Sequence, residues 1–181
     1  MTDHGSFTPP GTLRFERLLP GPIETVWAYL VEPDLRAQWL AGGEMDLKPG
    51  GKGALIFRNG DLSGPDDLPS AKYAKEGHTE IHSVAEIVEV DPPRHLRFKW
   101  GEGNDEWSDV TFSLEEVGDR VRLVLVHTDV TQTEQQAGVL AGWHTHLNLL
   151  QSRLTGEAEL PFWATLERME AEYSTRYGLP I

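Results

Sequence analysis

From about residue 77 to residue 128 the apolar residues of this chain alternate with polar ones, and from about residue 133 they recur at helical spacing. Strand-like stretches at about 77–90, 94–101, 106–116 and 120–128 follow one another, with Asp91-Pro92-Pro93 and Gly118-Asp119 marking two of the turns. The helical stretch at about 133–155 puts Val139, Trp143, His146 or Leu147, Leu150 and Leu154 on one apolar stripe. A run of strands and then a long helix, without strand–helix alternation, gives an α+β fold with an antiparallel sheet rather than a parallel α/β fold.

The first third adds smaller elements. Residues 12–19 read as a strand. Pro22 suits a first helical turn, and Ile23, Val26, Trp27 and Leu30 follow at helical spacing. Pro33 to Trp39 reads as a second short helix. Glu44–Lys48 and Lys52–Arg58 read as a hairpin turning at Pro49-Gly50-Gly51. Residues 59–76 are polar and rich in Gly, Pro and Asp, and are expected to form a long loop. Thr133 with Gln136 forms a capping-box pattern, and Gly156 suits the helix end. A second helical pattern opens at Pro161 and runs through Phe162, Leu166, Met169 and Tyr173 to Gly178.

At 181 residues the chain suits one well-cored domain. Three segments are expected: a flexible N-terminal tail at 1–11, the main domain at 12–156, and a helical extension at 157–181. The extension is too apolar to hang free, and is expected to pack on its own domain or on a second subunit, as in a homodimer. With 29 acidic and 16 basic residues the formal charge is −13, which repels phosphate backbones and anionic membranes. Nucleic acid and membrane are therefore not expected partners. Cysteine is absent, which excludes disulfides, thiolate metal sites and cysteine nucleophiles. The N-terminus lacks a signal-peptide pattern, and no apolar run approaches the ~20 residues of a membrane helix. A soluble cytoplasmic protein is expected.

The segment Leu13 to Leu19, followed by Pro20-Gly-Pro-Ile-Glu-Thr-Val-Trp27 and then Glu32-Pro-Asp-Leu-Arg-Ala-Gln-Trp39, resembles the opening of the SRPBCC superfamily (START/Bet v 1-like). Within it the chain is similar to the family related to the C-terminal domain of the activator of Hsp90 ATPase. Ala85 to Trp100 with its double-proline turn, the hairpin Val110–Gly118 and Arg120–His127, and Gly142-Trp143 ahead of Leu147, Leu150 and Leu154 continue the likeness over roughly residues 12–156. The resemblance implies a helix-grip fold: a curved antiparallel sheet wrapped around one long C-terminal helix, here with an extra C-terminal helix. It also implies an apolar cavity between sheet and helix. The insertion at 59–76 and the tail at 157–181 depart from the family pattern.

Strand parity puts Leu96, Phe98 and Trp100 on one face, with Val110, Phe112 and Leu114, and with Val121, Leu123, Leu125 and His127. Any one of these is by default core. As a set with Trp39, Phe57, Trp143 and Leu150, the aromatic members can line a cavity instead of filling it. His127 and His146 are the polar candidates on that surface, able to orient a ligand's hydroxyl or carboxylate. If charged, they would make binding of a carboxylate weaken as pH rises through an imidazole pKa of ~6.5. His144 is expected to face solvent or the flank. The ligand-binding set is therefore Trp39, Phe57, Phe98, Trp100, Phe112, His127, Trp143, His146 and Leu150.

No catalytic or cofactor motif is present. His78, Glu80 and His82 share one face of a predicted strand, but alternate residues stand ~6–7 Å apart, too far for i and i+4 to share one metal. Gly50-Gly51-Lys52-Gly53 lacks the spacing and the following helix of a phosphate-binding loop. No cofactor, metal or catalytic residue is assigned. The resemblance leaves three functions in order: a binding protein for a hydrophobic or aromatic small molecule; a cyclase- or hydrolase-like enzyme using the same cavity; and a stress-linked co-chaperone with a chaperone partner. The eukaryotic activator carries a further N-terminal domain that this sequence lacks, so direct stimulation of Hsp90 is not expected.

Overall fold

The computed structural model describes residues 4–62, 64–101, 107–158 and 161–181. Its strands are β1 (Ser6–Thr8), β2 (Thr12–Pro20), β3 (Lys52–Phe57), β4 (Ile81–Asp91), β5 (His95–Gly101), β6 (Trp107–Val117) and β7 (Arg120–Thr128). They form one antiparallel sheet in the order β1-β2-β7-β6-β5-β4-β3. The helices are α1 (Ile23–Val31), α2 (Pro33–Arg36), α3 (Ala74–His78), α4 (Thr133–Thr155) and α5 (Phe162–Tyr177). A register shift between Ile87 and Glu89 puts a bulge in β4, a device that bends a strand and increases local twist. The curved sheet grips α4, which is the helix-grip arrangement.

Alternation assigns the two faces. Phe98, Val110, Phe112, Leu123 and Leu125 are buried toward α4. The intervening residues form ion pairs on the other face, where Arg97 bridges Asp109 and Glu89, and Arg122 bridges Glu16 and Glu115. These exposed pairs each contribute little, but they keep the outer face charged and soluble.

α4 is buried on two sides. Trp143, Leu147 and Leu150 meet the sheet, while His144 meets Tyr173 of α5 through a 2.9 Å hydrogen bond. Of the two placements expected for His144, solvent or the flank, solvent is excluded: it is 5 % exposed. Covering a long helix on both sides extends the core beyond the single stripe read from periodicity. Phe162, Trp163, Met169 and Tyr173 of α5 are buried within this one chain, so the extension packs on its own domain.

The two departures from the family pattern form one unit. The Asp67 carboxylate accepts the backbone N–H groups of Trp163 (2.8 Å) and Ala164 (3.1 Å), capping α5 from nearly a hundred residues away. Ser70 N donates to Glu167 (2.9 Å), Lys72 pairs with Glu170 (2.8 Å), and the Tyr73 ring lies 6.1 Å from that of Trp163. The expected loop also holds a short 3-10 helix (Asn59–Leu62) and α3.

Other expectations need correction. Residues 4–11 are not a loose tail: β1 pairs with β2, Gly5 N donates to the Tyr173 hydroxyl (2.7 Å), and the Tyr177 hydroxyl donates to Gly5 O (3.0 Å). Residues 1–3 lie outside the described residues. Glu44–Lys48 is not a strand; only single bridges at Gly42 and Met45 reach β3. β4 begins at Ile81, so His78 sits on α3 and does not share a strand face with Glu80 and His82. The α4 N-cap is Gln132, with no side-chain cap; Gln136 instead donates to Pro10 O (2.6 Å) and Val130 O (2.8 Å).

Arg36 fixes the corner after α1. It is 1 % exposed, and its guanidinium donates to the carbonyls of Ala41 (2.9 Å), Val31 (3.0 Å) and Gly43. Burial lowers its pKa to about 10, against the opposing attraction of Glu44. It remains charged at neutral pH and is satisfied by carbonyl dipoles.

Candidate functional site

Alternate strands of the sheet project a stack of rings toward α4. Phe57 of β3 stacks on Trp100 of β5 (centroids 5.4 Å apart, 9° between planes), and Trp100 stacks on His127 of β7 (5.6 Å, 5°). Register accounts for the stack. Trp100 lies opposite Ser108 on β6, and Val110, two residues on, lies opposite His127. Trp143 of α4 meets the rings edge-on, 5.8 Å from Trp100 at 85° and 6.0 Å from His127 at 84°, a favoured aromatic geometry.

Two cavities flank this stack. The larger, about 390 Å³, lies where the ends of β5, β6 and β7 approach the first turns of α4. Trp100, Trp107, His127, Asp129, Gln135 and Val139 are among its walls. The smaller, about 190 Å³, is bounded by Leu40, Phe57, Trp100, Trp143 and His146. Trp100 and Val139 border both.

The rim loop of the larger cavity is braced. Asp129 has a φ of 64°, the left-handed region that Asp tolerates better than most residues. Gly11 packs so closely that a Cβ would stand 2.1 Å from Val130 O, and Val130 N donates to Gly11 O (3.2 Å). With Gln136 bound to Pro10 and Val130, the N-terminal segment and the rim hold each other.

Hydrogen bonds fix the two buried imidazoles in opposite tautomers. Trp143 Nε1–H donates to His127 Nδ1 at 2.9 Å, so the His127 proton sits on Nε2. His146 Nδ1–H donates to Trp39 O at 2.6 Å, which leaves the lone pair on Nε2. Burial lowers the pKa of each to about 4; nearby Asp109 opposes this for His127, and the Trp39 carbonyl for His146. Both are neutral at pH 7. The expected electrostatic capture of a carboxylate, fading near pH ~6.5, is therefore corrected: both imidazoles are buried and uncharged at that pH.

His127 Nε2–H and Trp100 Nε1–H are both shut off from solvent and have no acceptor among the described residues. Leaving a buried donor unpaired costs about 1–3 kcal/mol, so the pair is an unusual feature to hold inside a core.

The nine residues read from sequence separate into two groups. Trp100 and His127 border the larger cavity; Phe57, Trp100, Trp143 and His146 border the smaller. Trp39, Phe98, Phe112 and Leu150 are packed in the core and border neither. Sequence reasoning missed Trp107, Ser108, the Asp129–Gln132 rim and Gln135. Ser108 carries a signal, since it shares inward parity with Val110; the rim residues carry none, because a loop has no period. Among the described residues no cluster that could hold a metal ion is found, and no helix is long and apolar enough to cross a membrane.

Comparison with known proteins places this geometry in a family. The model of the family described as activator of Hsp90 ATPase homolog 1-like protein matches residues 20–155. The solution NMR structure of a Bordetella parapertussis protein is 41 % identical, covers 97 % of this chain and 91 % of that one, and has a TM-score of 0.80. The crystal structure of CalU16 from Micromonospora echinospora is 20 % identical over 95 % of this chain and 93 % of its own, with a TM-score of 0.66. A conserved protein of unknown function from Enterococcus faecalis is 21 % identical over 92 % and 84 %, with a TM-score of 0.65. The last two likenesses are of fold alone. No curated protein matches the chain.

Proposed function

The chain belongs to the activator of Hsp90 ATPase homolog 1-like family, and on that basis we propose that it binds an apolar or aromatic small molecule between the curved sheet and α4. The observation that carries this reading is the larger cavity: about 390 Å³, walled by Trp100, Trp107, Val130 and Val139, with His127 and Asp129 as placed polar groups. That volume falls at the small end of the usual range for ligand pockets, and the mix of apolar wall and few polar groups is typical of them. Burying ~300 Å² of apolar ligand surface is worth roughly 7 kcal/mol before association costs, which suits micromolar affinity. The lack of cysteine suits a reducing compartment, and we place this binding role in the cytoplasm.

The enzyme alternative has less support. It needs a paired acid and base, and the two buried imidazoles border different cavities, each with Nδ1 already engaged. The co-chaperone alternative needs a concentrated apolar surface. Among the described residues, the exposed large apolar ones (Leu47, Leu68, Ile81, Val84, Trp107, Val117 and Ile181) are spread over five stretches of chain, with Ile81 and Val84 on β4 and Trp107 and Val117 at the two ends of β6.

Tryptophan-quenching titrations with a panel of uncharged aromatic compounds test the binding role. Wild type should saturate with micromolar constants, and Val139→Trp, which fills space beside both cavities, should bind at least about tenfold more weakly. Absence of binding below millimolar by the folded wild type would overturn it.

A further inference from the structure

The insertion between β3 and β4 joins the two walls of the smaller cavity. It leaves the sheet where the β3–β4 ladder ends, at the Phe57–Ile81 pair. Its two feet, Asn59 and Ile81, stand in the cavity wall on the sheet side, with Phe57 and Trp100. The opposite wall is α4, through Val139, Gly142, Trp143 and His146. Tyr73 of the insertion reaches this helix one residue before Val139. A Cβ added to Gly138 would stand 3.9 Å from the Tyr73 hydroxyl and 3.3 Å from Glu170 Oε1. The insertion therefore runs from the sheet side of the cavity to its helix side.

Its attachments are of a kind that can let go. From Gly64 to His78 no residue is buried, and Leu68 is 73 % exposed. Segments with so little buried apolar surface open at a fraction of the free energy of global unfolding, and lids are drawn from such segments. Polar ties hold it on α5: Asp67 on Trp163 N and Ala164 N, Ser70 N on Glu167, and Lys72 with the Tyr73 hydroxyl on Glu170. In each tie the acceptor is a carboxylate. The ring contact of Tyr73 with Trp163 adds one apolar touch. The neck is narrow. A Cβ at Gly60 would stand 2.4 Å from Gly77 O, so the two ends of the loop meet there, as they do in compact functional loops.

We propose that residues 64–78 are a lid over the smaller cavity, hinged at the Gly60–Gly77 neck and latched shut by α5, so that the C-terminal helix controls access to the interior beside His146. Release of the latch frees the lid from α5 and from Gly138, while its feet stay in the β3–β4 ladder. The insertion and the C-terminal helix, the two departures from the family pattern, act as a pair: one covers the cavity and the other holds the cover in place. This device works in the same way whether or not the larger cavity holds a ligand.

The chain has no cysteine, so two introduced thiols can be joined without side reactions. Ser70→Cys with Glu167→Cys puts one thiol on the lid and one on α5, and a short bis-maleimide then ties the lid down. Access is read as the rate at which diethyl pyrocarbonate modifies His146 in the full chain at pH 7, where this imidazole is neutral, followed by peptide mass spectrometry. Asp67→Ala with Lys72→Met releases the latch and should speed His146 modification about tenfold over wild type. Linking the two thiols should slow it at least about tenfold relative to the same protein unlinked. His127 and His144, buried elsewhere, should keep their wild-type rates in both cases. Equal His146 rates in linked and unlinked protein would show that the cavity is reached without lid movement, and would overturn the proposal. Equal acceleration of His146, His127 and His144 in the unlatched variant would also overturn it, because that pattern reports loosening of the whole domain. If the unlatched variant does not fold, the linked and unlinked rates decide between the two results.

Discussion

The indole N–H of Trp143 donates to Nδ1 of His127 at 2.9 Å, and this bond couples the grip of the long helix to the chemistry of the cavity wall. Trp143 is 3 % exposed and also meets Phe112 edge-on at 5.9 Å, so one side chain anchors the helix and sets a tautomer. Trp143→Phe keeps most of the packing and removes the donor. It should cost about 1–2 kcal/mol in urea unfolding, and free His127 to exchange tautomers, seen in its imidazole nitrogen shifts. Trp143→Ala should cost about 3–5 kcal/mol. Unchanged nitrogen shifts in Trp143→Phe would show that the bond does not set the tautomer.

The buried histidines predict a pH dependence of stability. Burial lowers the pKa of His127 and His146 to about 4; burial, then the charges of Arg17, His4, Arg168 and Arg176, lowers that of His144 to about 3, all from 6.5. Between those values the unfolded chain binds protons that the folded chain does not, so stability is present above about pH 6.5 and is lost as pH falls toward 4. The loss should be about 2 kcal/mol or more per histidine over that window. Urea midpoints should fall across it, and the three imidazoles should show no NMR titration above about pH 5.5 in the folded protein. An imidazole among them titrating near 6.5 contradicts the burial described.

Asp67 ties the insertion to α5. Asp67→Ala removes the cap on Trp163 N and Ala164 N and should cost about 0.5–2 kcal/mol. Limited proteolysis should then cut within residues 59–76 faster than in wild type. Unchanged stability and cutting would show that the capping contact carries no weight.

How much of this was legible in sequence follows from range. β5, β6, β7 and α4 were readable because period and turn residues act locally, and Gly156 ends α4 in the left-handed conformation as its position suggested. The N-terminal strand was not, because Pro9-Pro10-Gly11 reads as a tail and its partners Tyr173 and Tyr177 lie about 170 residues away. The start of β4 was misplaced because residues 77–80 are polar and carry no alternation. For the site, parity put Trp100 and His127 on the inner face. Parity cannot say which inward rings meet neighbours: Phe98 and Phe112 close on each other at 6.5 Å, whereas Trp100 is left with space on two sides.

The tail should be required for folding. Deleting residues 158–181 removes Trp163 and Tyr173, which are 1 % and 0 % exposed, and strips the partner from His144 and Gly5. The truncated chain should aggregate or lose most of its cooperative unfolding transition. A soluble product with an unchanged melting temperature would contradict the packing of α5.

The binding role is tested most directly by native mass spectrometry of the protein purified from its own host, beside Val139→Trp prepared identically. Wild type should carry a non-covalent small-molecule adduct that gentle activation releases, and Val139→Trp should carry less or none. A wild-type protein without adduct, which also fails to take up any uncharged aromatic compound offered at millimolar concentration, would contradict the cavity's role as a ligand site.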